Sequence, residues 1–256
     1  MTETSNVALS CKGLIRNFGG FCAVAGVSLD VKRGSIHALI GPNGAGKTTC
    51  FNLLTRFLDA DAGSIELFGT DITRERPEAV AKRGLIRSFQ ISSVFLGMTA
   101  RQNVRMALMQ KHGLGPQFWS GPERLAPLDE PALALLEQVG LGDAAETRAA
   151  LLPYGRKRAL ELAMTLALEP TVLLLDEPMA GLGREDIERC ATLVQTLAAD
   201  RTVLMVEHNL SVVARLCDRI TVLARGAVLA EGSYAEVSRD ARVITAYMGE
   251  RREGTA

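Results

Sequence analysis

The stretch Gly41-Pro42-Asn43-Gly44-Ala45-Gly46-Lys47-Thr48-Thr49 decides how the rest of this 256-residue chain is read. Its first eight residues satisfy GxxxxGK[ST]; it follows an apolar run, Ser35 to Ile40, and a helical pattern begins at Gly46. Glycines let the backbone curl so that successive N–H groups converge on phosphate oxygens, and the helix adds the positive end of its dipole. Lys47 then supplies a point charge between β- and γ-phosphates, and Thr48 a hydroxyl for Mg2+. A glycine-rich turn with an incidental lysine is the alternative, but strand, loop and helix here agree on a cradle for ATP.

Upstream of the loop the chain reads as short strands: Val7 to Ser10, Phe21 to Val24, Val27 to Val31 and Ser35 to Ile40, with turns at Gly19-Gly20 and Lys32-Arg33-Gly34. Downstream, strand and helix alternate: a strand from Ser64 to Phe68, a short helix from Pro77 to Lys82 and a strand from Leu85 to Phe89. Between about 91 and 167 the pattern turns helical, with Arg101 to Gln110, Ala132 to Val139 and Arg158 to Leu168 as helices and a Gly/Pro-rich loop from Gly113 to Pro127. Beyond it, strands Thr171 to Leu175, Thr202 to Val206 and Ile220 to Leu223 alternate with helices Arg184 to Leu197 and Asn209 to Leu216. This order implies an α/β fold with a largely parallel sheet covered on both faces.

Asp176 ends the apolar strand Val172-Leu173-Leu174-Leu175, where a carboxylate at the edge of a parallel sheet can hold Mg2+ with Thr48. Glu177 follows, placed to take a proton from, or orient, the water attacking a γ-phosphate. An apolar strand entering a polar turn would look the same; the phosphate loop favours the catalytic reading.

Composition narrows the classes. With 47% hydrophobic and 23% charged residues the chain is expected to fold. Its 29 basic residues cancel its 29 acidic ones, which argues against nucleic acid as a main partner. Cys11, Cys22, Cys50, Cys190 and Cys217 form no CxxC pair, fitting a reducing compartment with thiols as small core residues. Met1 to Ser10 lacks the pattern of a signal peptide, and no run of about 18 apolar residues could span a membrane.

The order of these motifs resembles the ATPase subunits of ATP-binding-cassette (ABC) transporters over nearly the whole chain. The resemblance implies a P-loop NTPase fold of the ABC type: a RecA-like parallel-sheet core, an N-terminal antiparallel β subdomain and an inserted helical subdomain. It implies one nucleotide-binding domain over 1–256, with a catalytic core at about 1–90 and 168–232, a helical signature subdomain at about 91–167 and a helical tail at about 233–256. Phe18 matches the aromatic that stacks on adenine, although a core Phe is the alternative. Gln90 matches the glutamine that senses Mg2+ and water, and His208 the switch histidine at the γ-phosphate.

Leu152-Pro153-Tyr154-Gly155-Arg156 stands where the family carries Leu-Ser-Gly-Gly-Gln, which serves the ATP held by the opposing subunit. Only Leu152 and Gly155 match that consensus, and Pro153 offers neither hydroxyl nor N–H. Gly183 stands where the family's Ser-Ala-Leu-Asp loop ends in a carboxylate. Phe18-Gly19-Gly20 before Ala23-Val24, the Tyr154-Gly155 form of the signature, Ala180-Gly181-Leu182, Val206-Glu207-His208-Asn209 and Ala246-Tyr247-Met248-Gly249 resemble one branch, the ATPases of branched-chain amino acid importers.

That branch implies an ATPase energising uptake of hydrophobic amino acids or related small solutes at the cytoplasmic face of the inner membrane. Its partners would be two permease subunits, a second ABC ATPase subunit and, indirectly, a periplasmic binding protein. Val94, Phe95, Leu96 and Met98 would line a groove for a permease helix or, equally, the core of the insertion. A lipopolysaccharide-type exporter ATPase and a soluble ABC ATPase are the alternatives.

Overall fold

The structure is a computed structural model that describes residues 6–88, 94–113 and 125–253, in two compact units. The chain begins with β1 (Val7–Phe18), β2 (Phe21–Lys32), β3 (Ile36–Ile40), α1 (Lys47–Leu54), β4 (Ala62–Leu67), β5 (Thr70–Asp71), α2 (Pro77–Lys82) and β6 (Leu85–Arg87). Three longer helices follow, α3 (Ala100–Lys111), α4 (Asp129–Gln138) and α5 (Tyr154–Leu166). The rest is β7 (Val172–Asp176), α6 (Arg184–Leu197), β8 (Thr202–Val206), α7 (Leu210–Leu216), β9 (Arg219–Ala224), β10 (Ala227–Gly232), α8 (Tyr234–Val237) and α9 (Ala241–Glu253).

One unit comprises Met1–Ile86, Thr171–Pro178 and Val194–Ala256 and carries two sheets. The four-stranded sheet, ordered β2-β1-β4-β5, is antiparallel. The six-stranded sheet is ordered β10-β9-β3-β8-β7-β6, with β9, β3, β8 and β7 parallel and β10 antiparallel at one edge. Every residue of β3, β7 and β8 is buried, as expected of parallel strands covered on both faces. Phe51 of α1, fully buried, packs in the apolar core with Leu14, Val24, Leu39, Ile65, Leu174 and Leu204.

The other unit comprises Arg87–Pro170 and Met179–Leu193 and is helical. Thr99 caps α3 by a reciprocal capping box with Gln102, which satisfies two backbone donors at the helix start. Arg105 and Arg101 reach Asp129 at the start of α4, tying two helices of the unit together.

Several strand boundaries differ from the sequence reading. The entry strands are longer: β1 and β2 each run twelve residues, because register shifts between Cys11 and Leu14 and between Arg16 and Asn17 absorb the breaks in alternation. Phe21 to Val24 and Val27 to Val31 are thus one strand, not two. Helix α5 begins at Tyr154, four residues before the expected Arg158, since the carbonyl of Pro153 accepts the first helical bond from Lys157 at 3.0 Å. Strand β10 was not anticipated. Its signal was the two-residue turn Arg225-Gly226, with φ of 52° and 79°, the left-handed pair of a tight hairpin. Cys11 and Cys50 are buried as expected, but Cys22 is exposed. Phe89, at the end of the expected strand Leu85 to Phe89, lies outside the described residues.

Candidate functional site

Parallel strands put their carboxyl ends at one sheet edge, and three of them bring the chemistry together. Leu39 pairs with Val206, and Val206 with Asp176, so β3, β8 and β7 end at the same level. From those ends leave Gly41, the pair Asp176-Glu177, and the pair Glu207-His208.

The loop after β3 has the backbone that its glycines permit. Gly41 has φ of 149°, and a Cβ there would collide with the carbonyl oxygen of Leu223. Gly46 has φ of 98°, and its Cβ would strike the carbonyl oxygen of Ala23. The loop is pinned by Ala45 N–H to the Pro42 carbonyl at 3.2 Å and by Gly226 N–H to the Ala45 carbonyl at 3.1 Å. Lys47, 6% exposed, folds back so that Nζ donates to the carbonyls of Gly41 at 2.6 Å and Pro42 at 2.9 Å. This places a positive charge at the rim of the backbone curl, while Asn43, Gly44 and Thr48 are exposed. Burial pushes the thiol of Cys50, one residue past Thr49, up to about 12, so it is no nucleophile here.

Asp176 is buried at the end of β7. Glu177 has φ of 49°, a left-handed conformation that costs a non-glycine residue of order 1–3 kcal/mol. Its N–H donates to the Val206 carbonyl at 2.9 Å, so the sheet holds this strained residue in place. The result aims its side chain at His208, whose Nε2 stands 2.6 Å from Glu177 Oε1. A carboxylate only accepts, so Nε2 carries the proton in this contact.

Glu207 is a residue that the sequence reading passed over. It is 3% exposed, and its Oε2 accepts the N–H groups of His208 at 3.1 Å and Asn209 at 3.4 Å, fixing the turn that presents the imidazole. The signal was available: it is a carboxylate directly after a fully buried strand, as Asp176 is the carboxylate that ends one. Asn209 in turn caps α7 by accepting from Ser211 N–H.

Thr48 on the first turn of α1 and Asp176 are hard oxygen donors, the chemistry Mg2+ takes. No group of three or more His, Cys, Asp or Glu side chains able to hold a metal occurs among the described residues. Gln90, the third expected ligand, lies outside the described residues. Phe18 ends β1 and is 46% exposed as a residue, which excludes the core alternative.

In the helical unit, Leu152 is buried, Pro153 is exposed as the N-cap of α5, and Tyr154 is 57% exposed. The Tyr154 hydroxyl is 3.4 Å from the Ala180 carbonyl, and its ring lies 3.3 Å from where a Cβ on Gly181 would stand. A Cβ on Gly155 would lie 2.5 Å from the Asp186 carboxylate, so a larger residue here would have to displace that side chain. Arg156 pairs with Asp143 at 2.9 Å.

The family model for ABC transporters matches residues 24–180, more than half of the chain. The chain belongs to the ABC transporter family. A second model, for branched-chain amino acid ATP-binding cassette transporters, matches residues 227–253 of this ABC ATPase. It is 38% identical to the high-affinity branched-chain amino acid transport ATP-binding protein BraF of Pseudomonas aeruginosa, covering 96% of this chain and 99% of that one. It is 36% identical to LivG of Escherichia coli, with the same coverage. Among solved structures, a nucleotide-free ATP-binding cassette from an ABC transporter superposes with a TM-score of 0.84 at 29% identity, covering 94% of this chain and 98% of that one. An ATP-binding cassette in its ADP conformation gives 0.83 at 28% identity, covering 95% and 99%. The fold is therefore the ABC type of P-loop NTPase, and the chain is a nucleotide-binding ATPase subunit.

Proposed function

We propose that this ABC ATPase energises the import of branched-chain or other hydrophobic amino acids, or related small solutes, by hydrolysing ATP at the edge formed by β3, β7 and β8. The observation that carries the chemistry is the 2.6 Å contact between His208 and Glu177, beside a lysine-bearing phosphate loop on the same sheet edge. The solute class is supported by the 36–38% identity to BraF and LivG over almost the full chain.

The residues Gly41 to Thr49 wrap the phosphates, Lys47 sits between β- and γ-phosphate, and Phe18 stacks on the base. Glu177 accepts a proton from the attacking water as the new bond to the γ-phosphorus forms and the bond to the β–γ bridging oxygen breaks, leaving ADP and phosphate. His208 orients Glu177 through its Nε2 contact. Thr48 and Asp176, with Gln90, would hold Mg2+, which when bound supplies neutralising charge to the phosphate oxygens.

The turn Leu152 to Arg156 serves the ATP of an opposing ATPase subunit. Gly155 and the α5 N-terminus remain suited to an anion although Pro153 donates nothing. Two permease subunits anchor the assembly at the cytoplasmic face of the membrane; no described helix of this chain is long and apolar enough to cross one. Phe95 and Leu96, 48% and 51% exposed, are available for a permease contact.

Uptake of radiolabelled leucine, isoleucine and valine by a strain lacking this subunit tests the reading. Uptake should fall at least tenfold and return with the wild-type gene. Unchanged uptake of all three, with loss of another solute, would redirect the solute assignment.

A further inference from the structure

The tip of the β1–β2 hairpin carries more than the expected aromatic. Phe18 and Phe21 face each other across the strands, 46% and 63% exposed, on either side of the Gly19-Gly20 turn. Arg16 lies over the ring of Phe18, its Cζ 5.0 Å from the centroid. A guanidinium over an aromatic face is attracted by the ring quadrupole. It covers one face of Phe18, while the residue as a whole stays 46% exposed.

Arg16 is itself held. Its Nη1 pairs with Asp61 Oδ1 at 2.9 Å and donates to the Asp59 carbonyl at 3.1 Å. The other Asp61 oxygen accepts the backbone N–H of Asn17 at 2.7 Å and its side-chain amide at 3.0 Å. These bonds, the Asn17 N–H foremost, hold the Asp61 carboxyl below its usual range and so keep it an acceptor near neutral pH. One carboxylate from the turn before β4 thus fixes the two residues that precede Phe18.

The hairpin tip is also tied to the phosphate loop. Two residues past Phe21, the Ala23 carbonyl packs against Gly46. Ala25 N–H donates to the Gly226 carbonyl at 2.8 Å, and Gly226 N–H to the Ala45 carbonyl at 3.1 Å. A flat ligand stacked on Phe18 would thereby be kept in register with the phosphates.

We propose that Arg16, anchored by Asp61, is a positioning residue for the nucleobase: it backs the Phe18 ring and sets the angle at which a purine stacks on it. This rests on the reading of Phe18 as the base platform. The chemistry reads the π-face and no edge of the base, so it contributes to affinity and not to bond cleavage.

ATP and inorganic triphosphate, which lacks a base, separate this role from a general loss of structure. Binding of each to the full chain is measured by calorimetry for wild type, Phe18→Ala, Arg16→Met, Asp61→Ala and the double variant Phe18→Ala/Arg16→Met. Phe18→Ala should weaken ATP about tenfold, within the range for losing a stacking aromatic. Arg16→Met and Asp61→Ala should each weaken it about threefold, the scale of an exposed cation–π contact.

Triphosphate affinity should hold in all four variants, kcat should hold in Arg16→Met and Asp61→Ala while KM rises, and the double variant should bind ATP no worse than Phe18→Ala. If Phe18→Ala leaves ATP affinity intact, the platform reading fails and the inference with it. If Phe18→Ala weakens ATP while Arg16→Met does not, the platform stands and the inference falls. An equal loss of triphosphate binding in Arg16→Met, or additive losses in the double variant, would also overturn it.

Discussion

Lys47 shows how one residue combines burial with function. Almost wholly buried, its ammonium donates to two carbonyls of its own loop, so the charge is held at the loop before any ligand arrives. Such preorganisation is worth most where a transition state gathers charge. Lys47→Ala should lower the rate of ATP hydrolysis by about 100-fold, on the scale of losing one preorganised donor, and should weaken ATP binding. Steady-state phosphate release together with calorimetric binding checks this, and unchanged values for both would remove Lys47 from the site. Glu177 is the converse case. The glycine-rich loop was legible because glycine advertises positive φ; the left-handed glutamate was not, because nothing in its residue type signals the strain that its bond to Val206 sustains.

At the scale of elements, β3 joins the site to a buried titratable group. His37 is fully buried in β3, with Nε2 2.8 Å from the Thr221 hydroxyl of β9. Burial lowers its pKa from 6.5 to about 4, Glu231 opposing that shift and Arg219 reinforcing it. The unfolded chain therefore binds a proton between pH 6.5 and 4 that the folded one refuses. The stabilisation is complete above 6.5 and is lost as pH falls toward 4, by on the order of 3 kcal/mol. Urea unfolding at pH 7.5 and pH 5 should show about 2 kcal/mol of that loss in the wild type and a flatter response in His37→Gln; parallel pH dependence in the two would reject it.

The parallel strands were readable from their unbroken apolar runs, since burial on both faces leaves no alternation to misread. Helix α5 and the two long entry strands were misjudged at their ends for local reasons. Pro153 starts a helix by lending its carbonyl, and bulges between Cys11 and Asn17 let a strand continue through residues that break its period. Strand β10 hid behind a two-residue turn whose first residue, Arg225, gives no hint of positive φ.

For the whole molecule, sequence order says little about what meets in space. Gly41, Asp176 and Glu207 are far apart along the chain, yet the register of β3, β8 and β7 delivers them to one edge. The motif pattern exposed the ends of those strands; only pairing could show that Glu177 and His208 touch and that Glu207 holds the turn between them. On the proposed function, that edge carries the phosphate loop and the proton acceptor, and the turn at α5 would serve another subunit's nucleotide.

The most direct measurement is phosphate release from ATP by the complex purified from membranes with its permease and partner ATPase, comparing wild type with Glu177→Gln in this subunit. The substitution keeps shape and hydrogen bonding but removes the proton acceptor. ATP binding should be retained while turnover at this subunit's site, followed in a complex whose other site is inactivated, falls at least 100-fold, on the scale of losing general-base catalysis. Wild-type turnover by the Glu177→Gln complex would contradict the assignment of this sheet edge as the site of hydrolysis.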